Sequence, residues 1–250
     1  MKRLVAIALC LMTPFFAFAA VTLSPADIEK VGQMVWKNEA GGKVEGLVAW
    51  NKGEAFPSLG IGHFIWYPEG TTGPFDESFP RLARLLVERG VKLPPWALGA
   101  APWKDREAML RDTKRVGELR AILAQPKAIA VQTEFLIQRL EAALPKMLEA
   151  APARDRAAIK ARFDALSATV PGTFAMIDYV NFKGEGVLPT ERYKGEGWGL
   201  LQVLQGMKGN TVRDFSESAK AVLTRRVQNS PPERGEQRWL PGWLNRVSRY

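Results

Sequence analysis

Cysteine and histidine are almost missing from this chain. Of 250 residues, one is cysteine, Cys10, and one is histidine, His63. A single cysteine makes no internal disulfide, so the fold has to be held by a packed core. Zinc patterns built on cysteine and histidine are excluded, as is any site that needs two histidines, and we expect no metal and no cofactor. Long apolar runs are scarce too. Beyond the first nineteen residues no stretch is long enough to span a bilayer. There is no internal repeat and no linker long enough to divide the chain, so residues 20–250 read as one domain, large enough to bury its own core. A clustered basic and aromatic motif of the nucleic-acid-binding kind is also lacking, and nucleic acid is not an expected partner.

The start of the chain is a targeting segment. Lys2 and Arg3 precede a run, residues 4–18, that is apolar apart from Thr13, with Pro14 its only helix breaker. Ala17 and Ala19 form the small-x-small pattern of a signal peptidase site, so residues 1–19 are read as a signal peptide cleaved before Ala20. The alternative is an uncleaved anchor. Leu9 stands where a lipoprotein signal before Cys10 would have a small residue. The expected location is therefore the periplasm or the medium. Without Lys2 and Arg3 the chain keeps 33 basic against 26 acidic residues, a net charge near +7. That excess suits an anionic polymer such as peptidoglycan with its free carboxylates, and equally suits simple solubility.

Local patterns predict an α+β protein that is mostly α-helical. Ser24 can cap a helix with Pro25 at its first position and Asp27 three residues past the cap, and that helix runs to about Glu39 before Gly41 and Gly42 stop it. Residues 47–66, rich in Val, Ile, Phe and Trp and broken by Asn51, Gly53 and Pro57, predict two or three short antiparallel strands. A Gly/Pro/Thr loop over 67–76 follows. Helices are predicted over 78–89, 103–123, 127–150 (kinked or divided at Pro145), 152–166, 173–182, 199–207 and 212–227. The tail, 228–250, is rich in Pro, Trp and Arg and is expected to wrap the surface.

Glu39 stands out by position. At about 100° per residue, Ile28, Val35 and Glu39 fall nearly in line with Val31 beside them, so the acid extends an apolar stripe at the helix C-terminus. Poor solvation and the negative end of the helix dipole both favour a protonated carboxyl there, which is what a glycosidic oxygen requires of a general acid. The alternative is a glutamate at a frayed end, turned to water. About twenty residues later comes Ser58-Leu59-Gly60-Ile61-Gly62-His63. A helix ending in glutamate, a hairpin, and then a Ser/Thr-x-Gly-x-Gly-His segment resembles the phage-type lysozymes, glycoside hydrolase family 24. The likeness covers roughly residues 24–66. It implies a lysozyme-like fold with a small β-hairpin region beside an active-site cleft. Glu39 then takes the role of general acid and Ser58 that of the hydroxyl beside an attacking water. Gly60, Ile61, Gly62 and His63 would form a strand along the cleft floor. His63 reads as more structural than catalytic. The family's second carboxylate is an aspartate. Here Asn51 stands near that place and Glu54 follows, so either Glu54 serves or the sugar closes on itself as in lytic transglycosylases.

A second constellation lies at Gly184-Glu185-Gly186 and Arg192-Tyr193-Lys194-Gly195-Glu196-Gly197-Trp198-Gly199-Leu200-Leu201-Gln202. Its Trp-Gly-Leu-Leu-Gln run is similar to a segment of goose-type lysozymes and lytic transglycosylases that follows their catalytic glutamate. The resemblance makes Glu185 a rival acid, ranked below Glu39 because Gly184 and Gly186 flank it where a helix end and a serine belong. The preferred reading puts Glu185, Tyr193, Trp198 and Gln202 on the opposite wall of the cleft, touching sugar or peptide. The alternative is a glycine-rich connection that binds nothing. The expected protein is thus a monomeric enzyme acting on peptidoglycan glycan strands. The competing expectation is a lysozyme-like protein that binds glycan without cleaving it.

Overall fold

The computed structural model describes residue 21 and residues 23–250, so the expected signal peptide and cleavage site lie outside the described residues. The first helix, α1 (Pro25–Ala40), starts and stops where its sequence dictates. Ser24 Oγ accepts the N–H of Asp27, Pro25 takes the first turn, and Gly41 ends the helix at φ 63°. Gly41 tolerates that left-handed turn because it has no Cβ. A 3-10 turn, Val44–Leu47, leads into a three-stranded antiparallel sheet of β1 (Val48–Ala49), β2 (Ser58–Leu59) and β3 (Phe64–Ile65), in that order. Ser58 is the middle position of one row, with Ala49 and Ile65 opposite it.

The rest is helix with one small hairpin. In order come α2 (Phe79–Glu88), α3 (Arg106–Arg111), α4 (Thr113–Leu123), α5 (Pro126–Ala150), α6 (Ala153–Ser167) and α7 (Val170–Lys183). The hairpin β4 (Arg192–Tyr193) and β5 (Glu196–Gly197) precedes α8 (Leu200–Gly206), α9 (Val212–Asn229) and α10 (Leu240–Val247). The fold is mostly α with small antiparallel sheets, in line with the α+β expectation. No helix of the described residues is long and apolar enough to cross a membrane.

The 25-residue α5 is the spine. At ~1.5 Å per residue it is roughly 37 Å long, and α1, α2, α4, α6 and α7 all pack on it. The contact with α1 is close because Gly32 faces Thr133 and Ile129. A Cβ on Gly32 would stand 2.3 Å from Thr133 Oγ1. Val31 and Val35 on the same helix are fully buried, each contributing about 1.5–3 kcal/mol of apolar burial.

Three stretches beyond the sheet depart from the sequence reading. The stretch 103–123 is two helices. Asp112 ends α3 and caps α4 by accepting the Arg115 N–H, and its other oxygen accepts Trp103 Nε1–H at 3.0 Å. Those donors, helped by Arg115's charge, outweigh burial and hold the Asp112 carboxyl below the usual range. Pro145 does not divide α5, which runs unbroken through it. The tail is built rather than draped: after two short 3-10 turns α10 packs on α9, with Val247 fully buried.

Candidate active site

Gly60, Ile61, Gly62 and His63 do not form a strand. They are the tight turn between β2 and β3, closed by the His63 N–H on the Gly60 carbonyl. Their glycines are required by the protein's own interior. Gly60 sits at φ 69°, and a Cβ there would be 2.2 Å from Gln132 Oε1. A Cβ on Gly62 would strike the Phe64 ring at 2.8 Å. Gln132, fully buried on α5, pins the turn by accepting the Ile61 N–H at 2.9 Å and donating to the Leu123 and Ala128 carbonyls. The turn thus rests on α5, and the expected strand along the cleft floor gives way to a turn whose glycines clear Gln132 and Phe64.

That turn aims His63 at Glu39. His63 holds a left-handed backbone, φ 50°, uncommon for a residue with a Cβ, and its Nδ1 lies 3.6 Å from Glu39 Oε2. The Glu39 side chain is 13% exposed, so it is not turned out to water at a frayed end. Nor is it an isolated acid on an apolar stripe. Arg246 of α10 donates from Nη2 to Glu39 Oε1. Glu39 is therefore held between a guanidinium on one oxygen and an imidazole facing the other.

Arg246 is itself anchored by Asp178 of α7. Asp178 is fully buried and accepts four hydrogen bonds: Arg246 Nε at 2.9 Å, Arg246 Nη2 at 2.6 Å, Tyr250 Oη at 2.5 Å and Asn38 Nδ2 at 2.5 Å. Burial works against the Arg246 charge. The bonds and charge of Asp178, with Glu39 and Tyr250, override it and hold the guanidinium above the usual arginine range. Burial and the Asp178 charge push the Tyr250 phenol well up, so it stays a donor. Asn38, Glu39, Asp178, Arg246 and Tyr250 form one network drawn from α1, α7 and the C-terminal segment. Sequence reading missed Asp178, Arg246 and Tyr250. The one available signal was a lone aspartate inside the apolar helix 173–182.

The other proposed residues fall elsewhere. Glu54 is exposed in the β1–β2 loop and takes a hydrogen bond from Asn51 Nδ2 at 3.1 Å. Together they line an open polar groove of about 700 Å³ with Trp50, Thr71 and Arg106, and Glu39 is not among its walls. Ser58 is buried in β2. The Glu185 carboxylate is bound by Lys146 Nζ at 3.0 and 3.2 Å.

The glycine-rich segment is packed on itself. Gln202 accepts the Gly199 N–H and donates to the Gly186 carbonyl, so both ends of its amide are spent. A Cβ on Gly199 would lie 2.0 Å from Gly186 N. Glu191, not picked out from sequence, accepts the N–H groups of Gly186 and Leu188. Gln202 is a brace for the loop and not a free sugar contact. No family model, no curated protein and no solved structure matches this chain.

Tyr193 and Trp198 belong to a stack of cations and rings. Tyr193 donates to Glu236, and Trp198 is buried under Arg226, whose guanidinium carbon is 4.0 Å from the indole centre. Beyond it Lys183 Nζ lies 3.3 Å from the centre of the Trp243 ring and 3.9 Å from that of Phe182, and Arg246 covers Phe182 at 4.5 Å. Desolvation, and then the like charges of Arg226 and Arg246, bring the Lys183 amine down to about 6 despite the opposing charge of Glu236. Burial opposes the Glu236 charge, but bonds from Arg226 and Tyr193 outweigh it and hold that carboxyl below its usual range.

Proposed function

We propose that this chain is a lysozyme-like glycosidase, exported to the periplasm or medium, that cleaves the β-1,4 bond between N-acetylmuramic acid and N-acetylglucosamine in peptidoglycan. Glu39 is its general acid. One observation carries the reading: three remote parts of the chain converge on this carboxyl. It stands one residue before the end of α1, the Gly60–His63 turn presents an imidazole 3.6 Å from Oε2, and α10 presents Arg246 to Oε1. A side chain fixed from both sides on rigid elements is positioned for proton transfer in a way that a surface glutamate is not. The predominance of helix beside a small hairpin sheet and the net positive charge agree with it. Glu185, engaged by Lys146, is the weaker candidate.

The second group of the reaction is Glu54 with Ser58, or there is none and the sugar closes on itself. Two carboxyls ~6.5–9.5 Å apart leave room for water and imply inversion, whereas ~5–5.5 Å implies a covalent route. A second reading, a glycan binder without turnover, is favoured by one feature: Glu54 is paired with Asn51, and Glu39 is not among the walls of the groove they line. Digestion of purified peptidoglycan followed by mass spectrometry separates these readings. Reducing ends mean hydrolysis, anhydro-sugar ends mean closure, and binding without new ends means the second reading. Glu39→Gln should fold normally and lose ~10²–10⁴ of the rate. Full activity in a well-folded Glu39→Gln protein would transfer the role to Glu185.

A further inference from the structure

A cavity adjoins the Glu39 network. It holds about 350 Å³ between α1, α7 and the C-terminal segment, and three members of the network, Asn38, Arg246 and Tyr250, form part of its wall. The guanidinium of Arg246 is fixed there. Its Nε and Nη2 form a fork on the fully buried Asp178, and Nη2 also reaches Glu39 Oε1. The third nitrogen, Nη1, donates to no described residue and is not sealed from water. Arg246 thus gives the cavity wall an immobilised cation with two N–H donors unspent.

The rest of the wall divides into charge and apolar surface. Lys37 stands one residue before Asn38 on α1, and Arg249 three residues after Arg246. Both are exposed, neither has an ion pair or a hydrogen bond among the described residues, and no acidic side chain lines the cavity. With the network behind the wall included, Arg246, Lys37 and Arg249 stand against Asp178 and Glu39, which leaves one positive charge over. Met34 and Phe174 supply the apolar side. Phe174 is buried and meets the Tyr250 ring edge-on, with centres 5.9 Å apart. A fixed guanidinium and two free cations beside a thioether and a ring match a small anion that carries an apolar group.

We infer that this cavity is a subsite for a carboxylate with a short apolar group beside it, and that its occupancy reaches Glu39 through Arg246. Asp178 keeps the guanidinium from swinging out, so the ligand has to come to Nη1, while Lys37 and Arg249 are free to close on it. Ligand and Glu39 then share one cation. On the wall-directed reading, on which the source of the ligand rests, the carboxylate is the end of a peptide stem that finishes in alanine, with its methyl group against Met34 and Phe174. A free aliphatic carboxylate has the same chemistry.

Calorimetry on the wild type and on a Lys37→Gln, Arg249→Gln double variant tests it with three probes. The first is a disaccharide-tetrapeptide ending in a free alanine carboxylate, the second the same compound as its terminal amide, and the third butyrate. Both substitutions are at exposed positions, so the double variant should melt with the wild type. The first probe should bind the wild type, and it should lose roughly tenfold in affinity both on amidation and in the double variant. His63 gives a separate reading of the link to the acid. It is the only histidine, lies 3.6 Å from Glu39 and is not part of the cavity wall. Its imidazole resonances in untagged protein should shift as the first probe saturates the wild type. Equal affinity for acid and amide, or no loss in the double variant, overturns the subsite. Saturation that leaves the His63 signals in place overturns the link to Glu39. Butyrate binding as tightly as the muropeptide keeps the subsite and assigns it to a free carboxylate. Carboxylate binding by a protein that releases no new glycan ends keeps the subsite and removes the proposed function.

Discussion

Lys183→Met should stabilise the protein, and by an amount that depends on pH. In the folded chain the Lys183 amine titrates at about 6, whereas its ordinary value is 10.5. Between those values the unfolded chain carries a proton that the folded chain lacks, so stability rises with pH across this window. The penalty for burying Lys183 is greatest at and below pH 6, where both states are protonated, and it fades as the pH approaches 10.5. The ceiling on the slope is about 1.4 kcal/mol per pH unit. The amine is only half-buried, so solvent screening keeps the realised slope under that ceiling. Urea unfolding of wild type and variant at pH 6, 7, 8 and 9 isolates the effect, because every other titrating group cancels in the difference. The variant's advantage should be largest at pH 6 and shrink steadily towards pH 9. Methionine keeps the length and loses only the amine's contacts with the Trp243 and Phe182 faces, which lie 3.3 and 3.9 Å from it. Parallel curves, or an advantage that grows with pH, would refute a neutral Lys183.

Two further outcomes follow from geometry already described. Arg246→Met leaves the fully buried Asp178 with two donors, Asn38 and Tyr250, and no cation. Breaking a buried pair in this way costs about 3–5 kcal/mol, or roughly 6–20 °C in melting temperature for a chain of this size, which calorimetry will read. Gly60→Ala forces a Cβ to within 2.2 Å of Gln132 Oε1 at φ 69°. It should cost ~1–3 kcal/mol from overpacking alone, where an exposed turn glycine such as Gly53, with nothing within 4 Å, should cost less.

Local signals were legible in the sequence and long-range ones were not. The ends of α1 could be read because a serine cap, a proline and a glycine each act within one helical turn. The break at Asp112 was hidden, since aspartate is tolerated inside a helix; here its carboxylate caps α4 at the Arg115 N–H and takes the Trp103 indole N–H. The Gly60-Ile61-Gly62-His63 pattern was legible as a motif but not as a turn. Gly60 answers to Gln132, which is 71 residues away from Ile61. Glu39 was found because helical periodicity is local. Its partner Arg246 was not, because 207 residues separate them and nothing near either one announces the other.

That separation also sets an order of events. A chain is made from its N-terminus at ~5–20 residues per second, so Glu39 precedes Arg246 by roughly 10–40 s. For that interval Asp178, made between them, lacks the arginine and the tyrosine that donate to its carboxylate in the finished fold. The α1–α7 side of the site therefore cannot close over Asp178 until the C-terminal segment has been delivered. Until residue 246 has been made the nascent chain lacks the Arg246 contact to Glu39, and a product shortened before it never acquires that contact. Delivery of the C-terminal segment is, in effect, the last step in assembling this network.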